Sequence, residues 1–173
     1  MREIQFQNLS LQNMNFHTVF EQIYSYIKSD PRQSYKLMIG TDSQVQKRGT
    51  LFIMGIVIQR EGKGAWACIR KAYTTRQMKV LHERISFETS FTEEVAMLFD
   101  ERKKERLIQL ILPYVYDGGS LSIEGHIDIG SGKRNRTREY VVEMMNRVES
   151  MGLDPKIKPE SFVASSFANR YTK

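Results

Sequence analysis

The chain has a single cysteine among 173 residues, Cys68, which excludes an intrachain disulfide framework and fits a reducing compartment. Its setting, Ala65-Trp66-Ala67-Cys68-Ile69, reads as a small buried hydrophobe rather than a nucleophile. Arg70 is the one near cation, and no histidine lies close in sequence. Long apolar runs are missing as well. No segment approaches the roughly 20 apolar residues that a membrane span needs, and Met1-Arg2-Glu3-Ile4-Gln5-Phe6-Gln7 has no apolar leader core. These absences lead to the expectation of a cytoplasmic protein with no membrane partner. Repeats, linkers and low-complexity tracts are also lacking, and 173 residues is one domain's worth of chain, enough to bury a core without staples. One domain over 1–173 is expected, with residues 1–31 as a helical extension packed on it.

Positive charge is present in excess: the net charge is +6 and the pI is near 9.4. Lys and Arg displace counterions from a phosphate backbone, so the balance admits a polyanionic partner. It does not require one, because many basic soluble proteins bind no nucleic acid.

Periodicity divides the chain. Phe16, Val19, Phe20, Ile23, Tyr24 and Ile27 recur at helical spacing, with Asn13 or Asn15 to cap the start and Asp30-Pro31 to end it. Three β-type runs follow, Tyr35 to Val45, Leu51 to Gln59 and Ala65 to Thr75. The short glycine-bearing links Gln46-Lys47-Arg48-Gly49 and Arg60-Glu61-Gly62-Lys63-Gly64 make them an antiparallel meander. From about Ile85 the period turns helical and persists through a charged stretch, Asp100 to Arg106, to Pro113. A fourth strand, Leu121 to Ile129, leads through Gly130-Ser131-Gly132 to a third helix carrying Val141, Met144, Met145, Val148 and Met151, stopped by Gly152. A short strand around Lys156-Ile157-Lys158 and a terminal helix from about Glu160 complete the chain. Strands joined through helices run parallel by right-handed crossovers, so the whole reads as an α/β fold with a five-stranded mixed sheet and helices on both faces.

Carboxylates gather where the strands end. Asp42 closes the apolar run Lys36-Leu37-Met38-Ile39-Gly40-Thr41-Asp42, and alternation puts Glu124, His126 and Asp128 on one face of the fourth strand. Two readings of that face stay open: an edge strand with a solvated side, or buried carboxylates balanced by a cation. Glu88 falls in the first turn of the long helix, near the sheet end, where it is either a ligand or a favourable charge at a helix N-terminus. Asp42, Glu88 and Asp128 have the type and placement to hold Mg²⁺ or Mn²⁺, hard ions that prefer oxygen. Ligands in such sheets collect outside the carboxyl ends of the parallel strands.

Gly40-Thr41-Asp42-Ser43-Gln44, Arg84-Ile85-Ser86-Phe87-Glu88, His126-Ile127-Asp128-Ile129-Gly130 and the tail from Lys156 to Ser166, taken in this order, resemble the YkuK-like branch of the ribonuclease H-like superfamily. The resemblance runs from about Tyr35 to the C-terminus. It implies a ribonuclease H-like domain and, by superfamily analogy, a nuclease that hydrolyses phosphodiester bonds in RNA, DNA or a hybrid by a two-metal mechanism. Asp42, Glu88 and Asp128 would be the catalytic ligands of Mg²⁺ or Mn²⁺, with His126, Glu124 and Ser43 beside them as orienting groups. The superfamily pattern usually adds an acid at the start of the final helix. No Asp follows Asp154 in this chain, so Glu160 is the nearest substitute. The alternative is a catalytically silent nucleic-acid-binding or assembly module of the same fold.

Gly130-Ser131-Gly132-Lys133 is not a P-loop, because Ile127 stands at the first glycine position and Arg134 replaces the hydroxyl that reaches Mg²⁺. The loop still leads toward a helix start with Lys133, Arg134, Arg136 and Arg138, which either clamp nucleic-acid phosphates or form a solvated helix start. Arg84 belongs to a second basic stretch after the third strand, with Arg70, Lys71, Arg76 and Lys79, which either tracks a nucleic-acid backbone or solubilises a loop. His126 is either a ligand or a satisfied structural histidine, and the sequence leaves the oligomeric state undetermined.

Overall fold

The second of five strands organises the molecule. Its sequence Leu-Phe-Ile-Met-Gly-Ile-Val-Ile is apolar at every position, as a strand covered on both faces requires. In the computed structural model, which describes residues 3–171, this strand, β2 (Gly49–Arg60), lies antiparallel to both β1 (Ser34–Gln46) and β3 (Ala65–Thr74). β4 (Ser120–His126) pairs parallel with β1 on its other side, and β5 (Asp154–Lys156) pairs parallel with β4. The order across the sheet is therefore β3-β2-β1-β4-β5, the expected meander with two parallel additions.

Alternation sorts the sheet's side chains into two layers. Leu37, Ile39, Phe52, Met54, Ile56, Ile58 and Cys68 join the main core with α1 (Phe16–Lys28), α2 (Leu81–Leu98), α3 (Glu101–Ile111) and α4 (Val141–Ser150). Burial pushes the Cys68 thiol pKa up, so it stays protonated and inert. Asn15 caps α1 through the Thr18 N–H, and Val19, Phe20, Ile23 and Ile27 are buried in the same core.

Among the described residues, the element packed on the opposite face is the C-terminal helical segment, Val163–Phe167 followed by the tight turn Ala168–Tyr171. Met38 and Val57 pack on Val163, while Ile53 and Ile69 pack on Ala168. Glycines let it lie close: a Cβ on Gly55 would stand 2.8 Å from the Phe167 ring, and one on Gly40 would stand 2.9 Å from the Ala164 nitrogen.

Several boundaries differ from expectation. The long helix is two helices, because Phe99 leaves helical geometry and the Asp100 carboxylate accepts the Lys103 N–H to start α3. Glu88 accordingly sits in the second turn of α2, which begins at Leu81, and not in the first turn. β4 stops at His126 rather than Ile129, although backbone bonds from Ile127 N–H to Lys156 (2.9 Å) and from Lys158 N–H to Ile129 (2.8 Å) continue its contact with the next chain segment. The terminal helix starts after Glu160, which lies in a bend. Among the described residues no helix is long and apolar enough to cross a membrane.

Candidate metal centre and nucleic-acid interface

Parallel pairing aligns the first two acids. Gly40 lies opposite His126 in the β1–β4 register, so two residues further along each chain Asp42 and Asp128 emerge at the carboxyl end of the sheet. α2 is held on β1 by the hydroxyl pair Thr41–Thr92, 2.8 Å apart in the core, and one helical turn back along it Glu88 comes over the same strand end. The three carboxylates line one cavity of about 190 Å³ together with Ser43, Arg84 and Lys158. Asp42 is 8% exposed and Glu88 7% exposed.

Glu88 is strongly perturbed. Burial raises its pKa first of all, and repulsion from Asp42 and Asp128 adds to that. A hydrogen bond from the Ser43 hydroxyl and the charge of Arg84 act in the other direction, and the balance is a pKa pushed up to about 8. At neutral pH without a cation the Glu88 carboxyl holds its proton.

Asp128 stands beside a cation. Its Oδ1 is buried and makes no hydrogen bond, yet the Lys158 Nζ stands 3.1 Å away, near enough for an ion pair without hydrogen-bond geometry. Lys158 thus counters Oδ1, and a hard divalent ion suits the carboxylate oxygens that line the rest of the cavity. Among the described residues, however, no three Asp, Glu, His or Cys side chains form a ready-made ion cage, so sharing an ion requires these carboxylates to close in.

Glu160, expected near the acids as a fourth ligand, is not brought to them. It lines a second cavity of about 380 Å³, with Glu124, His126, Lys36 and Lys156. There the His126 Nδ1 accepts the Val163 N–H at 3.0 Å, which places the ring proton on Nε2, 2.8 Å from Glu124. Both ring nitrogens are thus engaged, and the histidine ties the C-terminal segment to β4. Burial raises the Glu124 pKa, but the His126 hydrogen bond and the positive charges of Lys36 and Lys156 act the other way, and the net shift is downward. Glu124 and His126 therefore do not flank the acids as the same-face pattern implied. The chain leaves the pleat after His126, and Asp128 turns into the other cavity. Ser43 does touch the acid group, through Glu88.

The basic loop lies next to the acids. The Gly130 N–H bonds the Thr137 hydroxyl at 3.0 Å, that hydroxyl bonds Asn135 at 2.8 Å, and Thr137 lines the acid cavity. The closed loop leaves Lys133, Arg134, Arg136 and Arg138 exposed, ahead of a short 3-10 turn and α4. Lys47 and Arg48, in the turn extending from the carboxyl end of β1, are also exposed, and Gln77 braces the backbone there. Lys158 was missed in sequence because it reads as the end of a strand. Its signal is a cation directly after a short parallel strand, where ligands gather.

Sheet order and acid placement together define the class: the chain belongs to the ribonuclease H-like family, whose model, described as Ribonuclease H-like, matches residues 18–173. The match begins inside α1, so that helix falls within the family region. The chain is also 42% identical over 168 residues to the uncharacterized protein YkuK of Bacillus subtilis (strain 168), with 97% of this chain and 96% of that protein covered. No solved structure matches the chain.

Proposed function

We propose that this protein is a nuclease that uses Mg²⁺ or Mn²⁺ to hydrolyse phosphodiester bonds in RNA, DNA or a hybrid, with Asp42, Glu88 and Asp128 as its catalytic carboxylates. The observation that carries this reading is their convergence, from β1, α2 and the β4 exit, on one cavity at the carboxyl end of a parallel strand pair. Asp42, Glu88 and Asp128 would hold the divalent ion, which would supply a lowered water pKa and a counter-charge for phosphate. The chain's own groups have separate parts. Glu88 keeps a proton until a cation displaces it, and the Ser43 hydroxyl fixes its orientation. Arg84 places positive charge at the cavity wall, while Lys133, Arg134, Arg136 and Arg138 hold the nucleic-acid backbone beside it.

Asp42→Asn tests the reading. With labelled RNA, DNA and hybrid duplexes and added Mn²⁺, the variant should lose cleavage at least about 100-fold while its melting temperature stays near that of the parent. Equal cleavage by the variant would remove Asp42 from the chemistry. The absence of a ready-made cage among the described residues favours a second reading, a silent nucleic-acid-binding module. Calorimetric titration with Mn²⁺ separates the two, since a module that binds no metal cannot run this reaction.

A further inference from the structure

We propose that the Lys158 ammonium takes the place of a second divalent ion beside Asp128, so that the acid cavity accepts one divalent ion next to a built-in cation. The inference rests on the metal-site reading above and deepens it by fixing the number of ions.

The backbone sets Lys158 where it can do this. Pairing continues past β5 through the Ile127 N–H to Lys156 bond and the Lys158 N–H to Ile129 bond, so Lys158 emerges beside the chain that carries Asp128. Its Nζ reaches 3.1 Å from Asp128 Oδ1, the buried oxygen with no hydrogen bond. A carboxylate left in that state needs a counter-charge, and the ammonium supplies it.

Geometry then limits what else can enter. Paired metals sit about 4 Å apart and share a bridging carboxylate between them. Here one face of the Asp128 carboxylate is already taken by a positive group at contact distance. Asp42 and Glu88 line the same cavity, and with Asp128 they would supply the carboxylates for one ion. Glu160, the acid that could have completed a second ion's shell, faces the larger cavity instead. The acid cavity therefore has a cation beside Asp128 and no fourth carboxylate from Glu160, and an ammonium tethered to the chain offsets phosphate charge without dissociating as a bound ion can.

The test is Mn²⁺ titration of the full chain by calorimetry, with bound Mn²⁺ counted independently by electron spin resonance. The parent should bind one Mn²⁺ per chain. Lys158→Met should bind a second Mn²⁺, or bind the first at least about tenfold more tightly, because a contact-range repulsion has been removed. Lys158→Gln should do the same, and Lys158→Arg should keep the parent's count. Lys158 is nearly half exposed, so these variants should fold, and melting curves without Mn²⁺ check it. Two Mn²⁺ on the parent, or a Met variant identical to the parent in count and affinity, overturns the role of Lys158 and leaves the carboxylate site standing. No Mn²⁺ on any variant overturns both.

Discussion

Replacing Glu88 with Gln should stabilise the ion-free protein at alkaline pH while abolishing its response to divalent ions. Burial and the neighbouring Asp42 and Asp128 push the Glu88 pKa up to about 8 from an ordinary 4.5. Between those pH values the folded chain keeps a proton that the unfolded chain releases. The stability tied to that proton is complete below 4.5 and is lost as pH rises through about 8. At about 1.4 kcal/mol per pH unit, the rise corresponds to a ceiling of about 5 kcal/mol by pH 9. Gln has the same shape, carries no charge and can still accept the Ser43 hydroxyl. In a chelator, melting curves from pH 6 to 9 should show the variant several degrees more stable than the parent at pH 9, at about 2–4 °C per kcal/mol for a chain of this size. The gap should shrink to about 2 kcal/mol at pH 6, where the folded carboxyl is protonated but the unfolded one is not, and it closes only near pH 4.5. Added Mn²⁺ should raise the parent's melting temperature and leave the variant's unchanged. A gap of the same size at every pH, or a more stable parent at pH 9, would refute the argument.

Two other substitutions probe the opposite face of the sheet. His126→Ala strands the buried Glu124 carboxylate and the Val163 N–H and should cost about 3 kcal/mol. Urea unfolding and faster hydrogen exchange at the Val163 amide would report it, and a loss below about 1 kcal/mol would deny His126 its part in holding the C-terminal segment. Gly55→Ala drives a methyl group to within 2.8 Å of Phe167 and 3.0 Å of Val163. It should destabilise by about 1–3 kcal/mol and expose the C-terminal segment to limited proteolysis, and an unchanged melting temperature would show that the segment yields freely.

Much of the architecture was legible because it is written in short-range pattern. The all-apolar β2, the glycine-bearing turns beside it and the periodic face of α1 each specify an element locally, and the crossover rule orders the strands. The α2–α3 break was hidden because helical spacing of apolar residues continues across it, while the cap depends on one carboxylate, Asp100. Asp42, Glu88 and Asp128 were found from their positions near strand and helix ends. Their common cavity could only be seen once the β1–β4 register was fixed. Strand alternation misled at Asp128, since a period of two holds only while the pleat lasts and β4 stops two residues short. Glu160 was expected at the acids and Lys158 was passed over, because the turn between them decides which cavity each faces, and nothing in composition reports that turn.

The parallel seam between β1 and β4 also sets when the acid cavity can exist. It joins Ser34 to Ser120, whose hydroxyls meet at 2.8 Å across 86 residues of chain. Local hairpins close quickly, whereas a pairing of that sequence separation must first overcome the entropy of a long loop. The meander with Asp42 can form early, but Asp128 and Lys158 arrive only when the slow seam closes. On the proposed metal-site reading, divalent-ion capture during refolding would be a clock for the last long-range step, and a partly folded chain would have no half-strength version of the site.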